Sequence, residues 1–156
     1  MTNVTVTTRI DAPLDVVFRR CSDIEHGPAR VSSIHQIVML TPGPIRVGTR
    51  WIETRLVLGR ADSAEMALTA FQRNRMLTIR HHKAGVQIDA TFWFESKDGA
   101  TVVTIEFEAE GGMLSPSLLR PLGWALQRKV ERVLAHDLAD TKRAIEQTGS
   151  ATSRPS

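Results

Sequence analysis

The sequence predicts an α+β domain in which seven strands form one curved antiparallel sheet wrapped around a single long C-terminal helix, with two short helices after the first strand. Three observations carry this. Between about 33 and 110 the chain runs in strand-like stretches separated by turn signals at hairpin spacing. After Gly111-Gly112 the apolar period lengthens to that of a helix. Ahead of both stands a β-branched strand followed by a short amphipathic helix.

Each element has its own signal. Val4 to Ile10 alternates at period two and stops at Asp11-Ala12-Pro13. Leu14, Val17, Phe18 and Cys21 then recur at helical spacing, with Pro13 suited to a first turn and Asp15 to the positive helix end. A second short helix or a loop covers Ile24 to Arg30. Strands are expected over Ile34–Thr41, Gly48–Leu58, Ala61–Phe71, Met76–His82, Val86–Glu95 and Thr101–Glu110, the last pair joined through Asp98-Gly99, a strong hairpin cue. In the helical region Ser115 stands as N-cap and Pro116 at the first helical position. Leu122, Leu126, Val130, Val133, Leu134, Leu138 and Ile145 then keep one apolar stripe. About 26 helical residues span roughly 39 Å against roughly 33 Å for a ten-residue strand, so one helix crosses the whole sheet. The domain is expected over 1–147, with 148–156 a disordered tail that has nothing to bury.

Composition narrows the function. The chain has 156 residues, enough for one domain that encloses a cavity, and no apolar run long enough to span a membrane. The N-terminus lacks the regions of a secretory signal, so a cytoplasmic protein without integral membrane association is expected. The formal charge of +3 is spread along the chain, which argues against a nucleic-acid surface. The lone Cys21 forms no internal disulfide and is expected to be a buried thiol. His81 and His82 are adjacent on a strand, point to opposite faces and cannot chelate one ion, so no metal or other cofactor is implied.

Seven twisted strands must curl, and one helix does not fill the concave side, which leaves an apolar cavity suited to a small hydrophobic molecule. In the third strand Arg50, Ile52, Thr54, Leu56 and Leu58 share a face, and this more apolar set is expected inward. Trp51 and Trp93 then face outward, which suggests either a bulge or a homodimer surface. In the fourth strand hydrophobicity selects Ala64, Met66, Leu68 and Ala70.

The segments RIDAPLDVVF (9–18), VGTRW (47–51), GATVVT (99–104) and DLADTK (137–142) resemble, in order and spacing, the landmarks of the polyketide cyclase/dehydrase and lipid-transport group of the START/Bet v 1-like superfamily. The resemblance covers residues from about 3 to 147 and implies the helix-grip fold. In the fourth strand it implies Ser63, Glu65 and Ala67 inward, against hydrophobicity. The same alignment turns Ile79 and His81 inward from the fifth strand, with Ile88, Ala90, Phe92 and Phe94 from the sixth. Val103, Ile105 and Phe107 follow from the seventh, and Leu122, Leu126, Val130 and Val133 close the cavity from the helix. Arg50 and Glu65 are expected to pair with each other or to receive a polar group of the ligand. His136-Asp137 is expected at the surface or rim, and Met113 to Leu119, with Pro121 behind it, is a portal candidate.

Two functions follow from the resemblance. The first is non-catalytic binding of a lipid-like or polyketide-like molecule, since no nucleophile stands with an activating base. The alternative is a cyclase/aromatase or dehydratase in which Arg50, Glu65 and His81 orient a poly-ketone and move protons. Tyrosine, a proton donor in several catalytic members, is absent from the chain.

Overall fold

The computed structural model describes residues 2–57, 59–112 and 120–152. Strands β1 (Thr2–Ile10), β2 (Ile34–Met39), β3 (Arg50–Val57), β4 (Arg60–Gln72), β5 (Met76–Lys83), β6 (Val86–Lys97) and β7 (Ala100–Gly111) form one antiparallel sheet ordered β1-β7-β6-β5-β4-β3-β2. From β2 to β7 every sequential pair is joined as a hairpin, and β1 closes on β7 with Val4 opposite Phe107 and Val6 opposite Ile105. The chain therefore leaves β1 at one edge and enters β2 at the other. Helices α1 (Leu14–Ser22) and α2 (Gly27–Arg30) make that crossing. Pro13, read as part of the helix, is instead the extended N-cap of α1.

Packing explains the crossing. Phe18 of α1 is buried with its ring 5.4 Å from that of Phe71 and 5.0 Å from that of Phe94, in tilted and edge-on geometry. Leu68 and Phe71 both join this core although their spacing is odd, because β4 shifts register between Leu68 and Ala70. Such a bulge bends the strand and increases its twist. A second register shift lies between Ile34 and Gln36 in β2. The sheet curves into the grip the sequence predicts.

Helix α3 (Arg120–Thr152) is 33 residues, about 50 Å. Its C-terminal half buries Leu138 and Ile145 in the core beside Ile10 and Val17. Its other half is more open, with Trp124, Leu126 and Val133 exposed. Residues 148–152, expected to begin a disordered tail, are helical: Arg20 donates to the Thr148 hydroxyl at 3.1 Å and holds the helix past the end of its apolar stripe. Residues 153–156, Leu58 and the portal candidate Met113–Leu119 lie outside the described residues. No described helix is long and apolar enough to cross a membrane.

Turn chemistry places the hairpins. Asp98 and Gly99 have φ of 51° and 77°, the left-handed pair a two-residue turn needs. Gly111 ends β7 at φ 99°, where a Cβ would meet the Gly85 carbonyl oxygen at 2.9 Å. Gly48 has φ 94° but open space around it. Gly111→Ala is therefore expected to lose about 2 kcal/mol in urea unfolding, and Gly48→Ala about 1 kcal/mol from its dihedral alone. Equal losses would mean that the Gly85–Gly111 approach is not tight.

Candidate ligand-binding cavity

Between α3 and the concave face of the sheet lies a cavity of about 480 Å³. Its apolar wall comes from β5, β6 and β7 through Leu77, Ile79, Ile88, Ala90, Phe92, Ile105 and Phe107, with Leu126, Val130, Val133 and Leu134 above from α3. The α1–α2 segment contributes Cys21, Ile24 and Gly27. Leu126, Val133 and Val57 line the cavity and are also exposed, which marks its open side.

The opposite wall is polar, and β3 supplies its centre. Trp51 is 0% exposed. With that indole in the core, the pleat turns Glu53 and Arg55 inward as well. Arg55 donates Nε to Glu53 Oε1 at 2.6 Å and Nη1 to Asp137 Oδ2 at 2.6 Å, so one guanidinium ties β3 to α3. Ser33 Oγ donates to Asp137 Oδ1 at 2.8 Å, and Trp51 Nε1 donates to Glu53 Oε2 at 3.4 Å. Burial pulls the Arg55 guanidinium down, but the two carboxylates outweigh it and hold the group above its ordinary value. One turn further along α3, Asp140 accepts from the backbone N–H and hydroxyl of Ser32 at 2.9 and 2.6 Å. This part of the helix is clasped to the β2 approach.

His81 also faces this space, from β5. Burial holds its imidazole below its ordinary value, with Glu53 opposing and Lys83 and Arg55 assisting, so the ring is neutral at pH 7. No hydrogen bond engages the ring among the described residues. Cys21 is buried in the α1 wall, and desolvation pushes its thiol up to about 11 against the pull of Arg30 and Arg20. At neutral pH that group is therefore a protonated thiol packed in the wall.

The predicted residues divide by strand. Ile79, His81, Ile88, Phe92, Ile105, Phe107, Leu126 and Val130 line the cavity. Val103 is fully buried in the adjoining core, and the side chain of Leu122 lies outside the described part of α3. Arg50, Ile52, Thr54 and Leu56 are on the outer face, a correction that follows from the burial of Trp51. Ser63 and Glu65 are outside too, because β4 turns Ala64, Met66 and Leu68 inward as hydrophobicity had selected. Arg50 and Glu65 do pair, with Nε to Oε1 at 2.6 Å, but about half-exposed on the outer surface. Thr54 and Ser63 share a hydrogen bond beside them. Asp137, expected at the surface or rim, is buried. Trp93 does face outward, whereas Trp51 does not, so the outward tryptophan pair that suggested a dimer is not there.

Glu53, Arg55 and Asp137 were legible in principle. A strand face bearing Trp51 is the costlier one to expose, and Glu53 and Arg55 at i and i+2 on it neutralise each other. Asp137 stands three residues after Leu134 and four before Thr141, inside the buried stripe of α3.

A curved seven-stranded sheet gripping one long helix over an apolar cavity defines a helix-grip protein of the START/Bet v 1-like superfamily. More particularly, residues 1–146 match the family described as "Polyketide cyclase / dehydrase and lipid transport", and the chain belongs to that family. The START superfamily protein from Mycobacterium smegmatis is similar at 14% identity and TM-score 0.77, covering 95% of this chain and 99% of that one. The Zhui aromatase/cyclase from Streptomyces sp. R1128 is similar at 17% identity and TM-score 0.76, covering 98% of each. The ginseng major latex-like protein 151 from Panax ginseng follows at 17% identity and TM-score 0.71, covering 90% and 95%. No curated protein matches the sequence. At these identities the likeness is one of fold.

Two measurements probe the site. Arg55→Leu leaves Glu53 and Asp137 facing each other without their cation and is expected to lose about 3 kcal/mol in urea unfolding, whereas Arg50→Leu on the outer surface loses less than about 1 kcal/mol. With the thiol at about 11, roughly one Cys21 in a thousand is thiolate at pH 8. Because that value is raised on folding, the thiol favours the fold up to the unfolded pKa and loses this contribution as pH rises through the folded one. Iodoacetamide labelling should stay slow at pH 8 in the native protein and accelerate about tenfold per pH unit; rapid labelling at pH 7 would show the α1 wall to be open.

Proposed function

We propose that this chain binds a small apolar or amphipathic molecule in its internal cavity, as a cytoplasmic carrier and not as a catalyst. The observation that carries the reading is the cavity itself, about 480 Å³ between α3 and the sheet. That volume lies within the roughly 300–1,000 Å³ usual for small-molecule sites, and its walls are apolar with a few convergent polar groups. Glu53, Arg55 and Asp137 inside it are engaged with one another, which suits holding a molecule better than reacting with it. The thiol that faces the cavity is protonated at neutral pH.

A cyclase/aromatase or dehydratase reading has one observation in its favour. His81, neutral and without a hydrogen-bond partner among the described residues, faces the cavity in the field of Glu53 and Arg55. Arg50 and Glu65 cannot take part from the outer surface, so proton transfer on a poly-ketone would run through His81 with Glu53. Turnover of a poly-ketone mimic that is lost in both His81→Ala and Glu53→Gln, with stability retained, would favour catalysis.

Filling the cavity tests the carrier reading. Ala90 sits on the apolar wall between Ile79 and Phe107 across the sheet, and a phenylalanine there projects into the space. Ala90→Phe should weaken binding of a neutral solvatochromic dye such as Nile red by about tenfold or more while leaving the melting temperature unchanged or raised. Unaltered dye affinity in a folded variant would place binding elsewhere and end this reading.

A further inference from the structure

The polar groups of the cavity are not evenly spent. Its lining carries Arg30, Arg55, Lys83 and Lys129 against Glu53 and Asp137. Arg55 is held by both carboxylates, and their remaining oxygens accept from Trp51 and Ser33. Lys83 is bonded to Asp62, which lies outside the lining. Four cations against three carboxylates leave one positive charge over, and no carboxylate among the described residues pairs with Arg30 or Lys129.

Arg30 is the more informative of these two. It rises half-buried from α2 and donates a single nitrogen, Nη1, to the backbone carbonyls of Arg20 and Asp23 at 2.5 and 3.3 Å. Nε and Nη2 have no hydrogen bond among the described residues, yet no buried side-chain nitrogen or oxygen there lacks a partner. The free edge of the guanidinium is therefore open, and the residue lines the cavity. Burial lowers its pKa, with Cys21 and Asp23 only partly opposing, so the cation is under-compensated where it stands. Lys129, exposed at the open side, adds a second donor without a carboxylate partner among the described residues. Arginine presents a planar fork of donors and no acceptor. What the protein leaves unspent is thus donor capacity and positive charge.

We infer that the cavity takes a monoanionic amphiphile, its carboxylate-like head against the open N–H edge of Arg30 and its apolar body along Ile79, Ala90, Phe92 and Phe107. This rests on the carrier reading and sharpens it to a class of ligand. One anion brings the lining and its partners to neutrality, a second would exceed it, and a cationic head would find no free acceptor carboxylate. Lys129 at the open side draws the anion toward the cavity, as an exposed charge does at low ionic strength. Arg30 sets selectivity because an ion pair in a desolvated wall is stronger than one in water.

The test compares heads on one tail. Tetradecanoate, tetradecanol, methyl tetradecanoate and tetradecylamine are titrated against the full-length protein preloaded with Nile red, below their critical micelle concentrations. Tetradecanoate is expected to displace the dye at a concentration at least about tenfold lower than the alcohol or the ester, with the amine weakest. Arg30→Gln, which can still donate to the carbonyls, should remove that preference and leave tetradecanol within about twofold of its original affinity. Lys129→Gln should slow association of tetradecanoate alone. Equal affinity for the acid, alcohol and ester overturns the ligand class while apolar binding stands. No binding of any of the four, nor of the dye, overturns the carrier reading instead. Loss of the preference in Lys129→Gln but not in Arg30→Gln overturns the place of the head group. Should Arg30→Gln not fold, Arg30→Lys decides the same point, since a point charge without the fork is expected to keep only part of the preference.

Discussion

The burial of Trp51 is the constraint on which the polar side of the cavity depends. A tryptophan in the core sets the pleat of β3, and the pleat brings Glu53 and Arg55 to the concave side whether or not the core favours charge. Arg55 beneath the helix needs more than one carboxylate at close range, and Asp137 supplies the second from above. That bond, with Ser32 and Ser33 on Asp140 and Asp137, sets the rotation of α3 over the sheet. The helix then presents Leu126, Val130 and Val133 to the cavity and Leu138 and Ile145 to the core.

The same clasp is confined to one half of the helix, away from the open side of the cavity. α3 is tethered along its C-terminal half by Asp137, Asp140 and Glu146, which accepts from the Asp11 backbone N–H at 2.9 Å. In its N-terminal half the described polar link to the sheet side is Gln127 to the Asn3 carbonyl at 3.2 Å. The charge-assisted bonds thus lie toward one end of the helix, and the space beneath Leu126 and Val130 lies toward the other. Unfilled apolar volume costs stability in proportion to its size. A ligand that fills it would recover that contribution through its binding free energy.

Much of the fold could be read directly. Asp98-Gly99 announces its hairpin, the odd residues of β7 alternate cleanly, and the α3 stripe continues from Leu126 to Ile145. The sites were less legible, and the reason is specific to β3 and β4. Both strands carry charge on each face, so counting apolar residues cannot choose the buried one. Resemblance then selected Ser63 and Glu65, and the outer pair Arg50–Glu65 satisfied the pairing expectation from the wrong side of the sheet. The bulge between Leu68 and Ala70 added to the ambiguity by breaking alternation within a single strand.

Periodicity and turn chemistry, which act between near neighbours, determined by themselves the number of strands, their antiparallel order through hairpins, and the long helix that crosses them. Which charges lie inside was decided only in the folded chain. Arg55 is tolerated in the cavity wall because Asp137, 82 residues away in sequence, arrives to compensate it. Arg30 keeps a free edge because its neighbours offer carbonyls and not carboxylates. Desolvation and ion pairing depend on what the whole chain brings to one place, and no local pattern contains that information.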